Sequence, residues 1–272
     1  MRHIMPQLRR LKLRPTMTAM DFMNLRAPEF TRVDAITQAV SGAVYLVVGF
    51  GAWWRAPRDI RTRVFLGFSS ANVVVFAVPV VTWAWGLTAG GLLPRKATAA
   101  MLAGLGVGAL LLFHFTQVFP RRRPWITSAG VQMWVVYILT PIVITGLILF
   151  MPDNPALITA PYVLAVLVFG FPLLVLLGFV VPVAAIFSLV KSHREVQRDG
   201  LTLMKRPLEW ILISQIAGGT LAVVFAPVLM AIAPNSAVQV GLTLAVTALG
   251  LLTPFAVAAA VWKFGMLQID PG

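Results

Sequence analysis

Long apolar stretches recur along almost the whole chain, separated by short polar connectors. Hydrophobic residues make up 59% of the 272 residues and charged residues only 11%, so lipid is the solvent for most of the chain. A helix needs roughly 20 apolar residues to cross a bilayer core, whereas the strands of membrane barrels are shorter and alternate between apolar and polar residues. The pattern therefore predicts an all-α, polytopic membrane protein.

The apolar stretches predict a seven-transmembrane-helix bundle, with crossings at residues 36–54, 64–86, 97–119, 127–151, 158–190, 208–233 and 237–262. The chain then divides into a basic tail at 1–35, the bundle at 36–262 and a junction at 263–272. The fifth stretch is too long for a simple crossing and contains Pro161, Pro172 and Pro182. It predicts a kinked or tilted helix, or one that extends out of the membrane.

Lys and Arg are concentrated in alternate connectors, which predicts the orientation of the chain. The basic loops lie at 55–63, 120–126 and 191–207. Positive charge marks the cytoplasmic side, so we expect these loops and the C terminus inside and the N terminus outside a bacterial inner membrane. The basic tail contradicts this orientation, and either a start at Met20 or Met23 or a tail lying on the membrane surface would explain it.

The chain offers few of the residue types that catalysis or metal binding needs. The formal net charge is +13, but the connectors account for it, so the lipid bilayer rather than nucleic acid is the expected partner. There is no cysteine, and His114 is the only histidine within a predicted crossing. No pair of carboxylates lies within a crossing. We therefore expect no cofactor, no metal and no enzymatic activity in this chain.

Three motifs lie at the ends of predicted helices. The segment 113–124 places a histidine and Phe-Pro before three arginines, the segment 205–210 leads from basic residues to a tryptophan, and the segment 261–270 follows an aromatic–basic pair with an apolar and acidic tail. The junction residues in these motifs are Arg121, Arg122, Arg123, Trp210, Lys263 and Asp270. Over roughly residues 36–270 the chain resembles the seven-helix N-terminal sensor regions of bacterial histidine kinases and related signalling proteins. Pro207, Glu209 and Gln268 depart from that pattern.

The resemblance implies a sensory membrane module that passes a conformational signal through helix seven to a cytoplasmic output domain or partner. It also implies a homodimer or a cytoplasmic signalling protein as the partner. A non-catalytic accessory or scaffold subunit of a larger membrane complex is the alternative, because such a subunit needs only packing surfaces. A transporter is less favoured, since we find neither mid-membrane charges nor inverted repeats.

Four polar residues are predicted to lie at one depth near the cytoplasmic ends of helices two, three, four and six. They are Asn72, His114, Gln132 and Gln215. Polar groups are costly against lipid, while hydrogen bonds between membrane helices contribute about 0.6–2 kcal/mol. We therefore expect one buried network that fixes helix packing or switches between two states. Ser192–Glu195 is similar to a phosphoacceptor histidine box, but the prediction places it in the loop at 191–207, where such a box would not function.

Overall fold

The structure is a computed structural model that describes residues 32–87, 94–120, 123, 130–150, 159–221 and 236–264. These residues are helical apart from short connections, and no strand occurs among them, which confirms the all-α prediction for this part of the chain. The helices are α1 Arg32–Arg55, α2 Ile60–Ala84, α3 Arg95–Val118, α4 Gly130–Leu149, α5 Ala160–Arg198, α6 Thr202–Ile213 with a π-helical continuation Ser214–Gly218, and α7 Ser236–Ala258 continued by Ala259–Lys263.

Five helices in the described ranges are long and apolar enough to cross a membrane. They are α1, α2, α3, α5 and the Val240–Lys263 part of α7. Within α4 the apolar segment Val135–Leu149 is shorter, and α6 is described only to residue 221. Each predicted crossing overlaps a helix in its described part, and residues 222–233 of the sixth lie outside the described residues. The basic tail lies outside the described residues except for residues 32–35, which belong to α1.

The buried core lies at one end of the bundle. Here the C-terminal ends of α1, α3, α5 and α7 meet the N-terminal ends of α2 and α6. Aromatic rings form its centre, because Phe65 and Phe115 have ring centroids 5.5 Å apart and Phe115 and Phe119 have centroids 5.0 Å apart. We call this region, with the connections at residues 56–59, 119–120 and 199–201, the junction end. All three connections overlap the basic loops of the sequence.

Two proline-associated π-helical turns interrupt α5. They lie at Val166–Gly170 and Leu176–Val180, directly before the Pro172 and Pro182 turns. A proline removes a backbone hydrogen bond and its ring crowds the preceding turn, and a π-turn relieves this crowding by widening the helix. The apolar middle of α5 lies at the surface of the bundle, whereas Val181–Arg198 packs on α3 and α6.

The predicted loop at 191–207 is wrong. The helix α5 continues to Arg198, α6 begins at Thr202, and only residues 199–201 connect them, with Gly200 in the left-handed region at φ +69°. The physical reason is that Val181–Arg198 is amphipathic: Ser188, Leu189, Ser192 and Val196 are buried on one face, while the charged residues point outward. The α5–α6 hairpin is therefore a packed part of the junction end.

Candidate functional site

Proline 254 breaks the hydrogen bonding of α7 in the middle of the bundle. Because proline has no N–H, the carbonyl of Gly250 one turn earlier loses its helical partner. The buried Tyr45 of α1 supplies a replacement, since its hydroxyl donates to the Gly250 oxygen at 3.0 Å. Tyr45 is itself held by the rings of Phe68 and Phe76 of α2, each with its centroid 5.8 Å away. The Tyr45 side chain of α1 thus replaces the helical hydrogen bond that α7 lacks at Pro254.

The same turn of α7 is bound on a second side by α6. Thr253, which is fully buried, donates its hydroxyl hydrogen to the Ser214 hydroxyl oxygen at 2.9 Å. The Gln215 amide donates to the Thr253 hydroxyl oxygen at 3.3 Å. Ser214 and Gln215 begin the π-helical turn of α6. We call this region the α7 hinge. It consists of Gly250, Thr253 and Pro254 of α7 and the side chains that bind this turn, which are Tyr45, Ser214 and Gln215.

A second proline-freed carbonyl lies at the end of α3. Pro120 cannot donate to the Thr116 carbonyl one turn earlier, and the buried Ser188 of α5 donates its hydroxyl to that oxygen at 3.1 Å. Arg123 makes two further contacts with α5. Its Nη2 lies 3.2 Å from the Ser192 hydroxyl and 3.7 Å from a Glu195 carboxylate oxygen. These bonds attach the extended end of α5 to α3.

A buried arginine joins the first connector to the same place. Arg61 is 1% exposed, and its guanidinium lies 2.7 Å from an Asp59 carboxylate oxygen and donates to the Pro120 carbonyl at 2.8 Å. Asp59 also caps α2 by accepting from the Arg61 backbone N–H. A buried charge is tolerated only with such complete pairing. The arginine therefore links the start of α2 to the end of α3.

The helices α1 and α7 also meet near the opposite end of the bundle. Thr243 donates its hydroxyl to the carboxylate of the buried Asp34 at 2.9 Å. Together with the Tyr45–Gly250 bond, this contact joins the first and last helices at two levels. Asp34 and Tyr45 both lie on the buried face of α1, which also includes Ser41 and Gly49.

The predicted four-residue layer is divided in the structure. The Asn72 amide donates to Phe68 in its own helix, Gln215 bonds to Thr253, and His114 Nδ1 lies 2.6 Å from the Tyr137 hydroxyl of α4. The side chain of Gln132 lies outside the described part, although its backbone belongs to α4. Among the described contacts Asn72, Gln215 and His114 thus bond to three different partners, and a single network that joins them stays a prediction.

Helix length changes the depth of two of these residues. The helix α2 begins at Ile60 rather than at residue 64, so Asn72 lies about 6 Å deeper than the count assumed at 1.5 Å per residue. It sits beside Gly108 of α3, about 9 Å along the axis from His114. Similarly, α6 begins at Thr202 rather than at residue 208, which moves Gln215 deeper by about 9 Å.

Of the predicted junction residues, Arg123, Trp210 and Lys263 are described. Arg123 makes the α5 contacts above, Trp210 is partly exposed on α6, and Lys263 ends α7 with its ammonium 5.6 Å from the centre of the Phe264 ring. The predictions for Arg121, Arg122 and Asp270 lie outside the described residues. His193, which the sequence placed in a loop, lies on α5 with its Nε2 3.4 Å from a Glu209 carboxylate oxygen of α6.

The described residues contain no group of three or more histidine, aspartate or glutamate side chains that would hold a metal ion. The chain matches no model of a known protein family and no curated protein sequence. The resemblance to sensor regions therefore rests on the three sequence motifs and the predicted order of the crossings. The chemistry that this arrangement offers is the exchange of hydrogen bonds between helices. The exchange would occur at the two turns that Pro120 and Pro254 interrupt.

Sequence reasoning missed Tyr45, Asp34, Ser188 and Tyr137. A signal for part of this set was present, because Pro120 and Pro254 each free a carbonyl at a position that the sequence specifies. The hydroxyl that fills each gap comes from a distant part of the chain, and no local pattern identifies it. Tyr137 lies in a strongly apolar helix, where no sequence pattern marks it as the partner of His114.

Proposed function

We propose that this protein is a membrane signal-transducing module that passes a conformational change through α7 to a cytoplasmic output domain or partner. The observation that carries the proposal is the α7 hinge: the proline-broken turn of α7 is hydrogen-bonded to α1 by Tyr45 and to α6 by Ser214. Below this turn, Val257, Ala260 and Val261 of α7 pack in the core of the junction end. Movement at the hinge is therefore transmitted to the last residues of the helix.

The energies at the hinge suit a switch. A hydrogen bond between membrane helices contributes about 0.6–2 kcal/mol, so an alternative arrangement without the Tyr45 and Ser214 bonds lies only a few kcal/mol higher. A ligand that prefers one arrangement by 1–3 kcal/mol shifts the population about 5- to 150-fold. Because Pro254 already removes the helical bond to the Gly250 carbonyl, α7 bends there without breaking a further helical bond.

The proposal includes seven crossings with the junction end in the cytoplasm of a bacterial inner membrane. Exposed basic side chains support this orientation, since Arg55, Arg58 and Arg63 surround the first turn and Lys191 and Arg194 line α5 at the same end. Positive charge of this kind is retained on the cytoplasmic side. The output would then leave the membrane after Lys263, and no catalytic group in this chain is required.

The test is a chimera in which the dimerisation and kinase domains of a histidine kinase follow Asp270. Autophosphorylation is measured in membranes for the parent chimera and for variants with one to four alanines inserted after Phe264. We expect activity to rise and fall with the helical period of about 100° per residue. A Tyr45→Phe substitution should shift the activity at least about threefold, because it removes a bond of about 0.6–2 kcal/mol at the hinge.

The matched control is Tyr162→Phe, which removes a hydroxyl bond of similar length, 3.1 Å to the Leu147 carbonyl, between α4 and α5. Activity that ignores both the inserted residues and Tyr45→Phe would refute transmission through α7. If the protein were instead a scaffold subunit, it would purify in a fixed ratio with other membrane proteins and the chimera would be insensitive to helix phase.

A further inference from the structure

A crevice of about 280 Å³ lies between α3, α4 and α5. Its lining consists only of aliphatic residues, alanine and glycine, contributed by Leu102, Leu105, Gly106, Ala109, Ile144, Leu147, Ile148, Gly170, Leu173, Leu177 and Gly178. Gly106 lies halfway along α3, which places the crevice at mid-membrane depth. At its rim Leu102 and Leu105 are exposed, so the crevice opens sideways from the bundle.

Glycines form both the floor and the open wall of the crevice. At Gly106 the three helices meet closely, because a Cβ there would lie 2.8 Å from Ile144 Cδ1 and 3.1 Å from Leu177 Cδ1. At Gly178, by contrast, a Cβ would meet no atom within 4 Å. The crevice is therefore closed by packed side chains at Gly106 and open at Gly178, where α5 has no side chain.

The size and chemistry of the crevice select its occupant. An α-helix with its side chains is 10–12 Å across, so a space of this volume is too narrow for a helix from a second copy or another protein. The lining offers no charged side chain and no side-chain hydrogen-bond donor, so a polar ligand would lose its hydration without replacement. A slender, flexible hydrocarbon chain meets both conditions.

We propose that this crevice binds one acyl chain of a bilayer lipid and that its occupancy sets the position of α5. The crevice wall on α5 runs from Gly170 to Gly178, between and within the two π-helical turns, where the helix is widest and its hydrogen bonding is least regular. A chain inserted there separates α5 from α3. The lower part of α5 carries Ser188 and Ser192, which bind the end of α3.

The regulatory part of this inference rests on the proposed signalling function, whereas the binding part does not. Binding is tested on the 272-residue protein in phosphatidylethanolamine and phosphatidylglycerol vesicles that contain a phospholipid with a diazirine in mid-chain. After irradiation, mass spectrometry locates the adducts. We expect adducts at the crevice residues of α3 and α5. A parallel sample with diazirine-labelled palmitate tests a free fatty acid as the source of the chain.

The deciding variant is Gly178→Leu, which adds a large side chain to the crevice wall at a position where a Cβ meets no atom within 4 Å. Its matched control is Gly146→Leu on α4, where a Cβ likewise meets nothing within 4 Å but does not line the crevice. We expect Gly178→Leu to reduce crevice adducts at least about tenfold relative to adducts elsewhere, because its side chain occupies space that the acyl chain needs, and Gly146→Leu to change them less than about twofold. Gly178→Ala should give an intermediate loss.

Equal labelling of Gly178→Leu and the parent protein would overturn the proposal, as would labelling by palmitate without labelling by phospholipid. In the kinase chimera, Gly178→Leu should shift autophosphorylation while Gly146→Leu should not. A chimera that ignores helix phase, combined with intact crevice labelling, would refute the signalling function and leave acyl-chain binding standing. Absence of crevice labelling, combined with a chimera whose activity depends on helix phase, would refute acyl-chain binding and leave the signalling function standing.

Discussion

Replacement of Arg61 by methionine tests whether a basic residue of the first connector stabilises the fold. Arg63 lies in the first turn of the same helix. Arg61 is buried and bonded to Asp59 and Pro120, whereas the Arg63 side chain is exposed and donates to the Arg58 carbonyl. Both substitutions remove one positive charge from the same loop, so they change the topology signal equally. Any difference between the two variants therefore reports the buried contacts.

The expected magnitude follows from these contacts. Removing one partner of a buried ion pair costs 3–5 kcal/mol because the other charge is left unpaired, and Asp59 is 12% exposed, which places the cost at the low end of that range. We expect Arg61→Met to lower the free energy of unfolding by about 3 kcal/mol. For Arg63→Met we expect less than about 0.5 kcal/mol, as for other exposed positions.

The assay is unfolding of the purified protein in mixed micelles by increasing sodium dodecyl sulfate, followed by tryptophan fluorescence. A third variant, Asp59→Asn with Arg61→Met, retains a capping side chain for α2 but removes the unpaired carboxylate charge. It should be more stable than Arg61→Met alone. If Arg61→Met and Arg63→Met lowered stability equally, the buried link between α2 and α3 would have no energetic role and the reasoning would fail.

Three further predictions follow from the helix contacts. Pro254→Ala restores an N–H for the Gly250 carbonyl, so Tyr45→Phe should cost at least about 0.5 kcal/mol less in that background than in the parent protein, and equal costs would exclude the proposed cap. Gly49→Ala should destabilise the bundle by about 1–3 kcal/mol, because the new Cβ would lie 2.5 Å from Ser69 Cβ, while Gly146→Ala, which meets nothing, should not; a thermal melt compares them. Alkaline phosphatase fused after Arg123 or Lys263 should be inactive, and activity there would reverse the proposed orientation.

The helical architecture was predictable from the sequence because membrane crossing imposes a minimum apolar length. The helix ends were less predictable. Residues 191–198 carry several charges and were interpreted as a loop, although Ser188, Ser192 and Val196 recur at the helical period on a buried face. Apolar length alone cannot locate the end of a helix that continues beyond its apolar part, and the depths of Asn72 and Gln215 depend on where α2 and α6 begin.

The partners of the polar side chains were not predictable, for two physical reasons. An asparagine in a membrane helix can satisfy its amide within its own helix, as Asn72 does with Phe68, so depth does not determine the partner. Arg61 is indistinguishable in type from the exposed Arg58 and Arg63 in the same connector. Which of the three is buried depends on the position of Pro120, which lies far along the chain.

The contact between α1 and α7 cannot form until the ribosome has synthesised α7, so assembly of the bundle is delayed. Tyr45 and Gly250 are 205 residues apart, so at 5–20 residues per second the ribosome needs roughly 10–40 s to make the partner of Tyr45 after α1 itself. During that interval the hydroxyl of Tyr45 and the carboxylate of Asp34 lack the hydrogen bonds that α7 supplies. The first helix therefore completes its assembly last, and nascent chains stalled before α7 should be the substrates of membrane quality-control proteases.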